Sequence, residues 1–422
     1  MESENSPLLS IVIATRNRIP YAISAIQSIL EIADPRLELI IQDNSDSREL
    51  ESFVRDNVAD RRMAYRYTPP PFSSIDNFNA ALELSSGEYV CMIGDDDGVN
   101  PEILEAAAWA RENDVDSLAM RSTAQYLWQG TGVRSTLFTK ISGATFVIKD
   151  FGQGIQQADV EKEMRALIRN GGLYYLDYGL PKLYHGLVRR RCLETVRTMT
   201  GAYLGGLSPD IFASLTVACI AQRVAVTDYP LTIPGACGAS TSVTEGATKK
   251  HSTKLEDAPH FRDRGAYQWS ELVPRVYASE TIWVDSALAA LRAMGRTDLV
   301  AELNLPKLAA YCIVANRGVA RRTLQDTFKA MRQMHRSPAV GALQFAFYLL
   351  AVPTTKFVRR AFNRALMILG VRRHHRIDDV VNMVEVSHAL TSYLREHGRS
   401  FSDSALQSRM DAPGGLNWAR SA

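Results

Sequence analysis

The stretch Glu88-Tyr89-Val90-Cys91-Met92-Ile93-Gly94-Asp95-Asp96-Asp97-Gly98 sets an apolar run of strand length directly against three adjacent carboxylates and a glycine. A strand buried in a parallel sheet reads as such a continuous apolar run, and α/β folds gather ligands outside the carboxyl ends of their strands. Three anions at one strand end repel one another, so the cluster costs free energy unless a cation neutralises it. Oxygen-only ligands suit a hard divalent ion, Mg2+ or Mn2+, that completes its shell with water and substrate phosphate. The stretch predicts a strand-end site for a metal and a diphosphate. The plain alternative is a solvated acidic turn, and the flanking sequence weighs against it.

Outward from this stretch the first 120 residues alternate. Residues 9–14 form a short β-branched run, and residues 21–32 carry Ile23, Ile26 and Leu30 at helical spacing. A second strand over 37–41 ends in Asp43-Asn44-Ser45-Asp46-Ser47, rich in turn and N-cap chemistry. A helix through Leu50, Phe53 and Val54 and a strand over 63–67 follow, then Pro69-Pro70-Pro71 forces a loop. Ile75, Phe78, Ala81 and Leu82 share one helical face before Gly87, and Pro101 suits the first turn of a helix over 102–111. This alternation predicts a mostly parallel sheet with helices on both faces. Residues 121–275 are less periodic, with a helix opening at Ser208-Pro209-Asp210, and residues 276–422 read as helical. The expected division is therefore 1–120, 121–275 and 276–422.

The 422 residues, 46% hydrophobic and 22% charged, are those of an ordinary globular protein with room for two or three domains. Cys91, Cys192, Cys219, Cys237 and Cys312 are odd in number and lack CxxC spacing, which suits a reducing cytoplasm. The polar, acidic start Met1-Glu2-Ser3-Glu4-Asn5-Ser6 is unlike a signal peptide. Between Arg317 and Arg376 stand thirteen Lys/Arg and the single acid Asp326, a net +12, so the remainder carries −10 of the overall +2. Such polarity predicts an anionic surface, that of a membrane, as partner for the basic third. The apolar run 339–352, flanked by Pro338 and Pro353, falls short of the ~20 residues of a bilayer-spanning helix, so no transmembrane segment is expected.

Neither GxGxxG nor GxxxxGK[ST] follows the first strand. Thr15-Arg16-Asn17-Arg18 stands there instead, and the second strand ends at Asp43 beside Asn44. A cation pair, an acid able to accept from a base N–H and an acid cluster at one sheet edge match a nucleoside diphosphate bound with a divalent metal.

Four ordered motifs carry a family resemblance over the first quarter of the chain. Ser10-Ile11-Val12-Ile13-Ala14-Thr15-Arg16-Asn17-Arg18 resembles the opening of family-2 glycosyltransferases, and Asp43-Asn44-Ser45 resembles their turn after strand two. Asn79 before Gly87-Glu88-Tyr89-Val90, and Asp95-Asp96-Asp97 before Pro101, are similar to the family's asparagine stretch and D-x-D region. The resemblance implies a GT-A-type Rossmann-like domain that takes a nucleotide-diphosphate sugar. It implies that Thr15, Arg16, Arg18, Asn44, Asn77 and Asn79 line the donor pocket and that Asp43 reads the base. Asp95 would approach ribose or metal and Asp97 the metal and diphosphate, with Asp96 able to exchange either role. Gly94 departs from the longer acidic form, Ala14 replaces the usual proline, and Asn77-Phe78 replaces the commoner cation, so one phosphate contact would be absent or supplied by Arg16.

An inverting reaction needs a base for the attacking hydroxyl and a metal for the departing diphosphate. Asp210 is the expected base; the alternative is a stable Ser-Pro-Asp helix start. His251 is a further metal candidate, with a solvated loop histidine as its alternative. Tyr174, Tyr175 and Tyr178 with Asp177 would stack on an acceptor or simply pack, and His374-His375 belong to the basic surface. The expectation is a cytoplasmic enzyme, peripheral on the inner face of the membrane, using Mn2+ or Mg2+. It would add sugar to a saccharide or lipid-linked acceptor in cell-surface polysaccharide or lipopolysaccharide assembly, with no nucleic acid partner. Two other readings stay open, a sugar-nucleotide nucleotidyltransferase and a non-catalytic sugar-nucleotide-binding or membrane scaffold protein. The stripe over 356–366, with Phe357, Ala361 and Ala365 beside Val358, Phe362 and Leu366 and flanked by Arg359, Arg360 and Arg364, would lie on a membrane or pack on the catalytic domain.

Overall fold

A computed structural model describes residues 6–131, 143–152, 154–239, 255, 259–368 and 374–411, with the backbone alone at 356, 357, 359–368 and 407–411. The predicted alternation is present as β1 (Leu9–Thr15), α1 (Ile19–Leu30), β2 (Leu37–Asp43), α2 (Glu49–Asn57), β3 (Met63–Tyr67), α3 (Ser74–Leu84), β4 (Tyr89–Ile93), the short β5 (Gly98–Val99) and α4 (Ile103–Glu112). Local chemistry sets several boundaries. Pro20 sits in the first turn of α1, and the Ser73 hydroxyl caps α3 by accepting from the Asp76 N–H.

Four more strands extend the sheet: β6 (Ser117–Met120), β9 (Ile155–Gln157), β10 (Gly186–Arg189) and β11 (Val224–Thr227). The order is β3-β2-β1-β4-β10-β6-β11-β9. β3, β2, β1 and β4 are parallel, with Thr15 paired to Asp43 and Ile13 to Ile93. β10 runs antiparallel to both its neighbours, β4 and β6, whereas β11 is parallel to β6. The sheet is thus mostly parallel on its amino-terminal side and mixed beyond β4. From β1 the chain builds outward to β2 and β3, then returns to the other side of β1 as β4. That reversal opens a crevice at the carboxyl ends of β1 and β4, the position where open α/β sheets bind ligands.

Alternation along β1 separates two layers. Leu9, Ile11 and Ile13 share a core with Ala22, Ile26 and Ile29 of α1, whereas Val12 joins Ile75, Ala81 and Leu82 of α3 on the opposite face. Two later helices, α5 (Val160–Arg169) and α7 (Pro209–Ala218), build a separate core with the helices Ser279–Ala293 and Leu305–Ala315. Between them in sequence, α6 (Arg190–Thr200) follows β10 directly. Buried Asp116 ties these parts together, accepting from the Gln222 N–H at 2.7 Å and from Arg191 Nη2 at 2.6 Å.

The carboxy-terminal third is mostly helical, but its last part returns to the amino-terminal domain. A second sheet orders β13 (Gly235–Ala236), β7 (Ala124–Leu127), β8 (Thr145–Lys149) and β14 (His374–Asp378), while β12 (Thr232–Ile233) pairs with β5. Helix Met383–Glu396 then lies against α1, with Met383, Val386, Leu390 and Leu394 in the same core and the Met383 N–H donating to Ser24 Oγ at 2.8 Å.

One expectation is corrected. Helix Pro338–Ile368 runs through Pro353 instead of ending there, so the apolar window Pro338–Thr355 has 18 residues, mean hydropathy 1.3, and is 11% buried. By length and composition it is one helix able to cross a membrane. The proline costs the helix its backbone bond to the carbonyl four residues back, and the Thr354 and Thr355 hydroxyls bond back to Leu350 O and Ala351 O in the same turn. Apart from Val358, the side chains of the stripe over 356–366 lie outside the described residues.

The docking of the carboxy-terminal segment is testable through Tyr126. Its buried hydroxyl donates to Val380 O at 2.6 Å. Tyr126→Phe leaves that carbonyl without its donor and is expected to lower unfolding stability in urea by ~1–3 kcal/mol. An unchanged midpoint would show that the segment is not held on β7.

Candidate functional site

The crevice edge is built by two turns that hold each other. After β1, Asn17 adopts a left-handed φ of 58°. Its N–H donates to Ser45 Oγ at 2.9 Å, and its amide exchanges bonds with Asp46 at 2.8 and 2.9 Å. This fixes Thr15-Arg16-Asn17-Arg18 beside Asn44 and Ser45. Thr15 Oγ1 donates to Asp95 Oδ2 at 2.5 Å, joining the end of β1 to the acid turn after β4.

The three acids are buried, between 2% and 4% exposed. Their cation comes from the chain itself. Arg18 Nη1 stands 3.0 Å from both Asp95 Oδ1 and Asp96 Oδ1. Burial works against the Arg18 charge, but Asp95 and Asp96 outweigh it and raise its pKa further. Burial also pushes the Asp95 carboxyl up to about 7, with Asp96 adding to the shift and Arg18 opposing it. Asp97 is held differently. Its oxygens accept from the N–H groups of Gly94 and Gly235 at 2.6 Å each and from Tyr184 Oη at 3.1 Å, and His185 Nε2 lies at 3.2 Å. Although burial opposes its ionisation, His185 and these donors hold Asp97 below the usual carboxylate range. Gly94 has no room for the acid found there in longer motifs: a Cβ would lie 2.6 Å from Tyr184 Oη. A Cβ on Gly235 would overlap Asp96 O, so glycine is required for this approach too.

A cavity of about 420 Å3 opens beside Asp95, lined by Thr15, Arg16, Arg18, Asn44 and Asn77 among others. Among the described residues three buried polar atoms on this lining have no hydrogen-bond partner: Arg16 Nε, Asn44 Oδ1 and Asn77 Oδ1. A fourth, Asp95 Oδ1, accepts no hydrogen bond from the described residues although Arg18 is near. Buried polar atoms are rarely left so, and their concentration on one wall marks a place for a polar ligand. Arg16 is steadied by Asp263 at 2.7 Å. Asn77 Nδ2 donates to Thr15 O at 3.1 Å and Asn44 Nδ2 to Thr68 O at 2.8 Å, so both oxygens are free acceptors in this arrangement.

Other residues singled out in the sequence lie elsewhere. Asp43 is fully buried, accepting from the Ser45 N–H and from Tyr65 Oη, and does not line the cavity. Asn79 clamps Leu204, with bonds to its N–H and carbonyl. His251 lies outside the described residues.

A second cavity, about 540 Å3, is lined by Tyr184 and His185, which hold Asp97, and by Asp210, Tyr175, Asp177 and Lys182. Burial pushes Asp210 up to about 6, with His185 and Tyr175 opposing and Asp97 adding to the shift. The Ser208 side chain makes no cap bond to α7. Of the tyrosine group, Tyr175 faces this cavity with its hydroxyl 3.5 Å from Asp210 Oδ2, whereas Tyr174 packs on Tyr311. Sequence reasoning did not find Tyr184 and His185. Their only local signal is a polar aromatic pair before a four-residue strand, although His185 adopts a left-handed φ of 55° there.

For a divalent ion, Asp95 and Asp96 present two buried oxygens that converge on one cation position, and one of them accepts no hydrogen bond. That fits the sparse carboxylate set Mg2+ or Mn2+ uses when diphosphate and water complete the shell. Asp97, with its acceptor positions occupied, is outside that set. Among the described residues no three His, Cys, Asp or Glu side chains are grouped to hold a metal alone.

Residues 10–153 match the family model described as glycosyl transferase family 2. The Escherichia coli (strain K12) protein WcaA, named as a colanic acid biosynthesis glycosyl transferase, is 34% identical over 103 residues, 24% of this chain. The match spans 37% of that relative's length. Among solved structures, residues 1–349 of S. aureus TarS with UDP-GlcNAc share 15% identity, over 82% of this chain and 92% of that one, at a TM-score of 0.43. The mannosyltransferase PcManGT of Pyrobaculum calidifontis, with GDP-Man and Mn2+, shares 13% identity over 78% and 87% at a TM-score of 0.36.

Arg18 as counter-ion is directly testable. Arg18→Gln leaves two buried carboxylates without their cation and is expected to cost ~3–5 kcal/mol of stability. Added Mn2+ should raise the melting temperature of this variant more than that of the native protein, because the metal then fills the position without competition. Equal metal responses would separate the acid pair from any cation site.

Proposed function

We propose that this chain, whose residues 10–153 match the model of glycosyl transferase family 2, moves a sugar, with inversion, from a nucleotide-diphosphate donor to a saccharide or lipid-linked saccharide acceptor in cell-surface glycan assembly at the cytoplasmic face of the membrane. One observation carries the reading: two cavities share a single buried acid turn. Asp95 lines the one with cations and free polar atoms, while the residues holding Asp97 line the one that contains Asp210.

In this reading Asn44 Oδ1 and Asn77 Oδ1 accept from the base or ribose, and Asp43 acts from below by fixing the Ser45 turn. Arg16, through its free Nε, meets the diphosphate. Arg18 exchanges part of its pairing with Asp95 and Asp96 for phosphate. Mn2+ or Mg2+ on Asp95 and Asp96, when bound, would neutralise charge on the departing diphosphate. The Asp210 carboxylate takes the proton of the acceptor hydroxyl as its oxygen bonds to the anomeric carbon. The bond from that carbon to the diphosphate oxygen breaks, and the electron pair leaves with the nucleoside diphosphate. Asp97 positions this centre through Tyr184, His185 and the backbone of Gly94 and Gly235.

The pKa of Asp210 fixes the sign of the pH dependence. A base works when ionised, so turnover should be level above about 6 and fall about tenfold per pH unit below it. Stability runs the other way: the fold favours the protonated acid, so this contribution is full below the ordinary aspartate range and lost as pH rises through about 6. Asp210→Asn should lower nucleoside diphosphate release in the presence of acceptor by ~10²–10⁴-fold, abolish the acid limb, and leave donor Kd nearly unchanged. Native turnover with an earlier melting transition would assign Asp210 to the helix start instead.

A further inference from the structure

Helix Pro338–Ile368 has two unlike faces. On one, Gly341 lies so close to Met331 that a Cβ would overlap its side chain; Tyr348 Oη accepts from Asn304 Nδ2 at 2.9 Å, and Val352 is buried. This face is docked on the helices Leu305–Ala315 and Ala320–Gln333. On the other, Val340, Leu343, Phe347, Leu350 and Val358 are exposed by 52%, 74%, 64%, 75% and 57%. At 3.6 residues per turn all five fall within an arc of about 80°, a ridge roughly 27 Å long. Nine large hydrophobic side chains are exposed among the described residues, and five of them form this ridge. A patch so concentrated marks an interaction surface.

Charge decides between occupants. The spacing of residues 340, 343, 347 and 350 would also suit pairing with the same helix of a second copy. Paired helices, however, flank their apolar seam with charged side chains, and protein interfaces carry a polar rim. Residues 338–355 contain no Asp, Glu, Lys or Arg. Cations stand at both ends of the run instead, Arg332 before and Lys356, Arg359 and Arg360 after in the sequence, while Arg336 is turned inward onto Leu303 O and Ala301 O, and no acid occurs anywhere in residues 327–377. An uncharged apolar ridge bracketed by cations complements a surface that is apolar beneath and anionic at its head groups.

We propose that this face of the helix seats the protein on an anionic lipid bilayer, with the ridge at the acyl boundary and the flanking cations among the phosphates. The helix does so while docked on the protein, so it lies along the membrane. The assignment holds for any donor sugar and would bring the acceptor cavity to lipid-linked substrates.

The test uses the full chain with vesicles of phosphatidylcholine alone and with about 30% phosphatidylglycerol. The native protein is expected to sediment with the anionic vesicles, not with the zwitterionic ones, and to be partly released as salt rises and screening shortens. The triple variant Leu343→Ser, Phe347→Ser, Leu350→Ser should bind at least about tenfold less, with its melting temperature little changed because these side chains are mostly exposed, Phe347 alone touching a neighbouring ring, that of Tyr348. The single Leu343→Gln should show a smaller loss in the same direction and serves if the triple variant melts early. Native protein that ignores the anionic vesicles overturns the proposal, as does equal binding by the variants. A native dimer in solution that the triple variant converts to monomer, without vesicle binding by either, assigns the ridge to a second copy. Loss of nucleotide release with vesicle binding intact would instead count against the sugar-transfer reading and leave this one standing.

Discussion

Burying Asp95, Asp96 and Asp97 at one strand end is the constraint around which the molecule is arranged. An isolated carboxylate in such a place would neutralise itself or unfold its surroundings, and adjacent ones repel. The fold answers with partners drawn from distant parts of the chain: Thr15 and Arg18 after β1, Tyr184 and His185 before β10, and the backbone of Gly235. Each partner fixes the position of an element, so compensation of the acids and assembly of the site are the same event. The two glycines are required for the same reason, since side chains at Gly94 and Gly235 would fill the space the partners occupy.

Compensation is incomplete, and its incompleteness points to function. Asp97 is held by four donors, whereas among the described residues Asp95 keeps an oxygen without a hydrogen bond beside Arg16, Asn44 and Asn77 atoms that are also unpaired. Leaving buried polar atoms unpaired costs about 1–3 kcal/mol each, which a ligand's own donors and charge would recover. The asymmetry divides the turn into a fixed side, facing the cavity with Asp210, and a side prepared to exchange partners.

Much of this was legible in the residues. The parallel half of the sheet followed from apolar runs separated by helical spacing, because strands buried on both faces and amphipathic helices differ in period. The acid turn, Thr15, Arg18 and Asp210 stood out as polar or charged groups where a buried strand or helix begins or ends. What the sequence did not disclose depends on long-range pairing. Nothing local says that Arg18 faces the acids in this state, that Asp43 is covered by Tyr65, or that β10, only four residues long, enters antiparallel. The return of Met383 to Ser24 links residues far apart in the chain, and helical periodicity names a face without naming its partner. Pro353 misled because proline usually ends a helix, whereas here the helix continues through it.

The central claim is that the cavity beside Asp95 holds a nucleoside diphosphate and the one beside Asp210 does not. A crystal structure of the protein with a bound nucleoside diphosphate and Mn2+ tests it most directly. The account predicts the diphosphate beside Arg16 and Asp95, the metal against Asp95 and Asp96, and the base or ribose bonded to Asn44 and Asn77, with the cavity of Asp210 open. Density for the nucleotide in the Asp210 cavity, or a metal held by Asp97 in place of Asp95 and Asp96, would contradict it.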